Sequence, residues 1–414
     1  MTMINGAGSQ FPFIIHESLS KQGINMKQPN ISGAFWREIE RIRKLPRYLA
    51  ISLFLLVFSY VFFITLMDEG QPQKLPIAIV DEDGSYFSRR LTHEINTMQG
   101  VEVVAVYTNH SEARRAMQRS EIYAFMDIPE GTYNEVLTFR RPHIAFYTNN
   151  AYLMAGSLSY RSLLTIANLA SGAVQREILR KKGFDENTIM GLIQPIAIEA
   201  RSIGNPNANY ESYLLTTILP GTLGLLLLML TTYVIGIEMK ERTSRQWLHS
   251  AGNSLAAALI GKLLPYFLIF TLLGILGDII LFGFLHYPMD GSQLSVILST
   301  LFYLTATQAI SVLIIGALPS LRLALSVSAL YGVMSFSLSG FTYPVSQMFT
   351  ALQGIVNLFP LRHYYQIYIT NAMYATGGWQ LLRPMLALSL FAILPLFVYK
   401  RLHKALIYLN YPQK

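Results

Sequence analysis

The stretch YLAISLFLLVFSYVFFITLM, residues 48–67, has twenty residues without a charge, and KLPIAIVDEDGSYFSRRL, residues 74–91, follows soon after it. The first stretch is long enough to cross a bilayer as a helix, because an α-helix rises about 1.5 Å per residue. The second has a short apolar run at 77–80, then a turn of Asp, Gly and Ser residues, then a polar segment, which is typical of an α/β domain. The order therefore predicts a membrane span followed by a domain folded outside the bilayer.

The composition of the whole chain is that of a membrane protein. Of its 414 residues, 52% are hydrophobic and only 14% are charged, whereas a soluble domain has about 25% charged residues. The absence of cysteine excludes thiol catalysis, disulfides and thiolate metal sites. The net charge of +8 fits the cationic flanks of membrane spans better than a nucleic-acid-binding surface, so we expect the lipid bilayer and no nucleic acid as a partner.

Five further apolar stretches follow the first one, at residues 213–237, 263–285, 294–318, 323–343 and 382–399. Lys and Arg residues flank the first span, the loops after the second and fourth spans, and the end of the sixth. Because cationic flanks stay in the cytoplasm, both termini of a multi-pass protein of the cytoplasmic membrane are predicted to be cytoplasmic. The predicted fold class is an α-helical polytopic membrane protein with six spans and an inserted extracytoplasmic α/β domain.

The predicted domain organisation has six parts. They are an N-terminal tail (1–32), an amphipathic helix (33–47), span 1 (48–67), the extracytoplasmic domain (68–212), a transmembrane domain with spans 2–6 (213–406) and a C-terminal tail (407–414). Residues 1–25 lack the features of a signal peptide and are assigned no function. In the amphipathic helix, apolar residues such as Trp36 and Ile39 alternate with charged ones at helical spacing, which predicts a helix in the membrane interface. A merely charged flank is the alternative.

The predicted extracytoplasmic domain alternates strands with helices. The strands are residues 75–80, 101–107, 122–129 and 143–150, with QPIAIEARSI (194–203) as a last candidate, and the helices are residues 88–98, 111–120, 152–182 and 184–194. Ser111 is the predicted cap of the second helix. Such units predict a small parallel or mixed sheet with helices packed on it.

Motifs of enzymes are absent from the sequence. There is no P-loop, HExxH or GxSxG, and the Gly-Lys at 261–262 is not followed by Ser or Thr. The histidines lack the spacing of metal ligands. The Asp81–Glu82–Asp83 run lacks the EF-hand spacing and is interpreted as a solvated turn. We therefore predict no catalytic, cofactor or metal site.

Polar residues inside the predicted spans are few, and three of them are candidates to line a transport pathway. Asp278 of span 3 has fifteen uncharged residues on its cytoplasmic side, and a carboxylate at such depth usually faces a partner or water. It is either a rim residue that reaches the outer headgroups or an acidic group of the pathway. Thr305 and Gln308 of span 4 are the other candidates, although hydrogen bonding between helices is their usual role.

The loop between spans 2 and 3 is the most informative stretch. The second span continues directly into a charged helix, EMKERTSRQWLHS (238–250), and a turn at 251–254 leads back to the membrane. We name residues 238–262 the coupling loop. It is too short to be a domain and suits docking in a groove of another protein; a plain charged loop is the alternative.

Three segments resemble the membrane subunit of a type-2 ABC exporter, in the subgroup with a large domain after span 1. They are residues 74–91 together with SEARRAMQRSEIYAFMDIPEG (111–131), the coupling loop EMKERTSRQWL…GKLLPY, and LSGFTYPVSQMFTALQGIVNLFPLRHYYQIY (338–368). The resemblance covers about residues 35–406. One departure is that Thr243–Ser244 follows Glu241–Arg242, where the family often has Gly-Thr.

The resemblance implies a mechanism and a set of partners. A separate ABC ATPase subunit would bind ATP and dock on Glu238, Glu241, Arg242 and Trp247, with Trp247 inserted as an anchor. A second membrane subunit, either an identical copy or a paralogue, would complete the pathway, and substrate would move outward. Residues 33–47 would be the elbow helix of such a subunit.

The resemblance also implies roles on the outer side. Gly340, Pro344 and Pro360 would belong to short re-entrant elements at the outer mouth. The extracytoplasmic domain would dock with a periplasmic adaptor and an outer-membrane channel where the cell has an outer membrane. The rival prediction is a non-transporting surface receptor or scaffold with a phage-infection-type ectodomain. A membrane enzyme is disfavoured because no acid/base pair lies at one membrane depth, and the substrate class stays open.

Overall fold

The computed structural model describes residues 29–68, 70–138, 140–196, 198–199, 204–205 and 209–408. The predicted N-terminal tail up to residue 28 and the predicted C-terminal tail from residue 409 lie outside the described residues. The chain forms two compact units. The first contains the residues before Leu66 and after Glu211, and the second contains the residues between them, apart from a short stretch at 203–205 that belongs to the first.

Helices make up most of the structure. In chain order they are α1 (Ile31–Lys44), α2 (Arg47–Leu66), α3 (Tyr86–Asn96), α4 (His110–Gln118), α5 (Thr132–Leu137), α6 (Leu153–Lys181), α7 (Glu186–Ile193), α8 (Tyr210–Lys240), α9 (Ser244–Ser250), α10 (Leu255–Asp278), α11 (Gln293–Ala317), α12 (Leu321–Leu338), α13 (Thr350–Ile355), α14 (Pro360–Tyr368), α15 (Trp379–Phe391) and α16 (Leu394–Tyr408). α10 continues as a π-helical turn, Ile279–Phe284.

Six helical segments of the described residues are long and apolar enough to cross a membrane. They are Arg47–Leu66, Tyr210–Lys240, Leu255–Phe284, Gln293–Ala317, Leu321–Leu338 and Trp379–Tyr408. Each coincides with one predicted apolar stretch, so the prediction of an α-helical polytopic membrane protein with six spans is confirmed. The third span begins eight residues before the predicted start at 263, since the helix continues through the charged residue Lys262.

The second unit contains a four-stranded sheet, as the strand–helix pattern predicts, and of the two predicted alternatives, parallel or mixed, it is the mixed one. Its strands are β1 (Leu75–Asp81), β2 (Val101–Tyr107), β3 (Ala124–Ile128) and β4 (Ala145–Thr148), in the order β2-β1-β3-β4. β1 is parallel to both of its neighbours, and β4 is antiparallel to β3. α3 and α6 cover one face of the sheet and α4 covers the other. This two-sided burial explains the unbroken apolar run in β1.

Of three local predictions in the second unit, one is wrong and one lies partly outside the described residues; the third concerns the acidic turn at residues 81–83. α4 begins at His110, and its cap is Asn109, which accepts a hydrogen bond from the Ser111 amide at 2.7 Å; the prediction of Ser111 as the cap is wrong. The described residues of the last strand candidate, 194–196 and 198–199, form no strand, and its other residues lie outside the described part. Asp81 accepts hydrogen bonds within its own turn and from Ser88, and the described residues contain no acidic or histidine group arranged for a metal ion.

The contact between α1 and α10 in the first unit is close because it is made at a glycine. A Cβ atom on Gly261 would lie 2.5 Å from the main-chain oxygen of Ile31 and 2.7 Å from the Cβ of Ala34. Both of these atoms belong to the helix backbone or are attached directly to it, so neither can rotate away. Gly261 therefore sets the distance between α1 and the third span.

We predict that Gly261→Ala destabilises the first unit by separating α1 from α10. Overpacking of this kind costs about 1–3 kcal/mol, which would lower the thermal unfolding temperature of the detergent-purified protein by several degrees. Gly283→Ala is the matched control, because the nearest atom to a Cβ there is 3.7 Å away. Equal unfolding temperatures for the two variants would contradict the close contact.

Candidate functional site

A cluster of charged side chains joins α1 to the coupling loop and to the third span. Its members, which we name the ion cluster, are Arg37, Glu38, Arg41, Glu238, Glu241 and Lys262. They come from three places that are far apart in the sequence: α1, the end of α8 with the turn after it, and α10. All of them belong to the first unit.

Lys262 lies at the centre of the ion cluster. Its side chain is fully buried, and its ammonium group contacts the carboxylates of both Glu38 and Glu238, the latter at 2.9 Å. The hydroxyl of Tyr266, one turn further along α10, donates a hydrogen bond of 2.7 Å to Glu38. The ring of Trp247 lies 5.2 Å from the ammonium nitrogen, within the range of a cation–π contact. Lys262 therefore binds α1 and α8 to α10 at once.

Glu238 connects α1 to the turn of the coupling loop. Arg37 donates two hydrogen bonds to its carboxylate, at 2.7 and 3.0 Å, in the bidentate geometry that arginine favours. Arg41 and the hydroxyl of Thr243 also donate to this carboxylate. The main-chain oxygen of Glu238 accepts hydrogen bonds from the Thr243 amide at 3.0 Å and from the Ser244 hydroxyl at 3.0 Å. The last turn of α8 and the start of α9 are thereby fixed.

The charges of the ion cluster balance, with three carboxylates and three cationic groups. Balance is required because an unpaired buried charge is strongly destabilising, whereas a paired and hydrogen-bonded one is tolerated. Burial opposes the charge of Arg41, but Glu238, Glu38 and Glu241 outweigh that effect and raise the pKa of Arg41 above its usual value. The guanidinium group therefore stays charged inside the cluster.

The structure differs from the sequence prediction for two of the four coupling residues. Glu238 and Trp247 were predicted to contact an ATPase, but both side chains are fully buried inside the chain. The indole nitrogen of Trp247 donates a hydrogen bond of 3.2 Å to the Ala258 carbonyl, so Trp247 is an internal anchor for α9. It is not available for insertion into another protein. Replacing a buried Trp by Ala usually lowers the free energy of unfolding by about 3–5 kcal/mol, so Trp247→Ala is expected to destabilise the fold.

The other two predicted coupling residues lie on the surface. Glu241 is about half exposed and binds Arg41 at 2.9 Å. Arg242 is exposed and has a φ of +60°, which breaks the predicted helix 238–250 into the end of α8 and the short helix α9. Together with them, the exposed residues of this part of the loop are Lys240, Arg245, Gln246 and His249. The solvent-exposed side of the coupling loop is thus a small, mostly cationic surface.

The predicted pathway residues have separate partners. Asp278 is partly buried and accepts a hydrogen bond of 3.4 Å from Thr300 on α11. Gln308 is buried, and its amide donates to the Leu263 carbonyl of α10 at 3.2 Å, which is a contact between helices. Thr305 is exposed and bonds to a carbonyl of its own helix. The structure does not bring these three side chains together as one polar lining, and a pathway role for Asp278 stays a prediction.

The predicted outer segment consists of short helical elements in the structure. Gly340 has a φ of +88°, and a Cβ there would lie 2.5 Å from a guanidinium nitrogen of Arg362. Pro344 comes directly before a 3₁₀ turn, Val345–Gln347. Pro360 is the first residue of α14, where its fixed φ suits a helix start. The depth of this segment in a membrane stays a prediction.

Sequence reasoning missed most of the ion cluster. Arg37, Glu38 and Arg41 were interpreted as the polar side of an interfacial helix, and Lys262 as the end of a loop. One signal was available in Lys262 and Tyr266, which stand at i and i+4 at the start of a long apolar stretch. An ammonium and a hydroxyl on one helix face within apolar sequence indicate a buried polar partner.

The family model described as ABC-2 family transporter protein matches residues 46–398 of the chain. The match covers well over half of the sequence, from the start of the first span into α16, and includes the whole coupling loop. No curated protein sequence matches the chain significantly.

We predict that Lys262→Met strongly destabilises the protein because it leaves the Glu38 carboxylate buried with only Tyr266 as a partner. Breaking a buried ion pair costs about 3–5 kcal/mol, measurable as a lower temperature for the loss of helical circular dichroism in detergent. The double variant Glu38→Gln/Lys262→Met restores the charge balance and should recover part of the loss. Lys44→Met, which removes an exposed pair with Glu40, is the control and should change stability little. Equal stability of Lys262→Met and Lys44→Met would contradict the role of the ion cluster.

Proposed function

We propose that this chain, which belongs to the ABC-2 family of transporter proteins, is the membrane-spanning subunit of an ATP-driven exporter. A separate ABC ATPase subunit would bind ATP and supply the energy, and this chain would carry no ATPase site. The observation that supports this proposal most directly is the coupling loop. It is a short segment with one exposed side, and the buried ion cluster holds it to α1, α8 and α10.

The proposed docking surface for the ATPase is the exposed side of the coupling loop. It contains Glu241, Arg242, Arg245 and Gln246, all of which are exposed. Arg245 also donates a hydrogen bond of 3.1 Å to the Ile407 carbonyl of α16, so the surface is connected to the last span as well. A displacement of this surface by the ATPase would reach three spans through rigid contacts. Arginine is among the residues that most often dominate protein interfaces.

We further propose how the chain assembles with a partner and in which direction substrate moves. A second membrane subunit, identical or paralogous, would complete the pathway, and substrate would move outward across the bacterial inner membrane. Both termini would be cytoplasmic, and the second unit would lie on the outer side. In a cell with an outer membrane it would dock with a periplasmic adaptor that leads to an outer-membrane channel. The alternative, a surface receptor or scaffold, has no use for an ATPase-docking loop anchored in this way.

We predict that Arg242→Ala/Gln246→Ala weakens the association of the chain with the proposed ABC ATPase subunit when the two are co-expressed and the chain is affinity-purified. Both side chains are exposed, so the variant should fold normally, while the retained ATPase should fall about tenfold if these residues are interface hot spots. Arg322→Ala is the control, since Arg322 is also an exposed arginine on the predicted cytoplasmic side. Undiminished retention in the double variant would remove the assignment of this surface.

We also predict that the second unit and the coupling loop are accessible from opposite sides of the membrane. Cysteine can be introduced singly because the sequence contains none. Arg114→Cys, on the exposed side of α4 in the second unit, should react with a membrane-impermeant maleimide in intact spheroplasts, and Gln246→Cys only in inverted vesicles. Labelling of Arg114→Cys in inverted vesicles alone would overturn the six-span orientation.

A further inference from the structure

The first unit contains a large cavity whose lining includes no residue of the coupling loop or the ion cluster. Its volume is about 1060 Å³, and its walls come from α11, α12, α14, α15 and the short elements between Val345 and Leu358. This volume is at the upper end of the range of about 300–1,000 Å³ that is usual for small-molecule sites. The cavity therefore has room for a ligand with both a polar head and an apolar body.

Two arginines line the cavity and have no acidic partner. Within the described part of the chain, Nη1 of Arg362 donates to the Ser339 carbonyl at 3.1 Å, and Nε of Arg362 is buried without a hydrogen-bond partner. Arg383 is exposed toward solvent and cavity and makes no salt bridge with a described carboxylate. None of the described lining residues is acidic. Arg362 is half-buried, and its buried Nε has no counter-charge among the described residues; a buried polar or charged group is unfavourable unless it is paired, so an anion at this position would be stabilising.

His363 lies near both arginines and adds no further positive charge. Burial lowers the pKa of His363, and the charges of Arg362 and Arg383 lower it further, against the opposing hydrogen bond to the Asn357 carbonyl. The imidazole is therefore neutral near pH 7, and the charge in this part of the cavity is that of the two guanidinium groups. Burial likewise lowers the pKa of Arg362, in keeping with a cation that lacks its counter-ion.

The rest of the wall is largely apolar. Ile310 and Leu313 of α11, Tyr331 of α12 and Phe391 of α15 all line it. The Tyr331 ring stacks on Phe359 at 4.7 Å, and its hydroxyl is bonded to the Leu358 carbonyl at 2.6 Å, so this wall presents the ring without a free polar group. A purely polar anion would leave this apolar surface in contact with water.

We propose that this cavity binds an amphiphile with an anionic head, such as a phosphate or carboxylate, held by Arg362 and Arg383 with its apolar body against α11, α12 and α15. Arginine suits this task because its planar fork matches the oxygens of phosphate and carboxylate. Binding itself does not depend on the proposed export function. If the amphiphile is the transported substrate, that part of the inference rests on the proposed function.

The test is a binding titration of the full-length chain, purified in a neutral detergent and followed by native mass spectrometry. Dioctanoyl-phosphatidylglycerol is the anionic probe, and dioctanoyl-phosphatidylcholine is the zwitterionic probe with the same acyl chains. We expect the anionic probe to bind about tenfold more tightly or better. Arg383→Gln should remove about tenfold of that affinity, as expected for a charge-assisted contact, and Arg362→Gln should act in the same direction. Arg401→Gln, an exposed arginine of α16 that does not line the cavity, should bind as the unaltered protein does.

Equal affinity for the two probes, or unaltered affinity of Arg383→Gln, would overturn the inference. Arg383 is exposed, so its variant stays informative even if Arg362→Gln fails to fold. The same probe added to proteoliposomes that contain the ATPase complex separates the two sources of the ligand. A transported amphiphile stimulates ATP hydrolysis and crosses the membrane, whereas a resident lipid binds without either effect. If the unaltered protein showed no preference for the anionic probe but still associated with the ATPase, the result would count against this site alone and not against the proposed function.

Discussion

The contact of the Lys262 ammonium group with the carboxylates of Glu38 and Glu238 is the interaction on which the arrangement of the first unit depends. All three side chains are fully buried. In such a place each charge is tolerated only while its partners stay in position. α1, α8 and α10 are therefore constrained together, and Gly261 allows α1 to lie directly against α10.

This constraint gives a physical route from the surface of the coupling loop to the spans. The turn after α8 is fixed through the carboxylate and carbonyl of Glu238, and α9 is fixed through Trp247. A force on the exposed side of the loop would thus act on α1, α8 and α10 as one body. A loop attached only by its two ends would yield instead, and a force on its surface would not reach the membrane-spanning helices. Glu238 and Trp247, which were predicted as contacts to another protein, belong instead to this buried attachment of the loop.

The sequence was sufficient for the spans and the sheet but not for the ion cluster. Uncharged stretches of twenty residues and alternating strand and helix patterns are local signals, and they predicted the six spans and a small parallel or mixed sheet. The third uncharged stretch begins only after the charged residue Lys262. The span was therefore predicted to begin at residue 263, whereas its helix begins at Leu255. Its partner Glu38 is 224 residues away, and no local pattern contains such a pairing. The burial of Trp247 was missed because a helix of seven residues is too short for its periodicity to show an inner face.

Hydrogen exchange in Glu238→Ala, compared with the unaltered protein, measures directly whether the ion cluster holds the coupling loop. We expect amides of the coupling loop, such as those of Thr243, Trp247 and Asn253, to exchange about tenfold faster or more in the variant, because local opening needs less free energy once the ion cluster is broken. The amides of β1 and β3 in the second unit serve as the internal reference and should be unchanged. Equal protection of the coupling loop in the two proteins would contradict the claim that the ion cluster holds it in place.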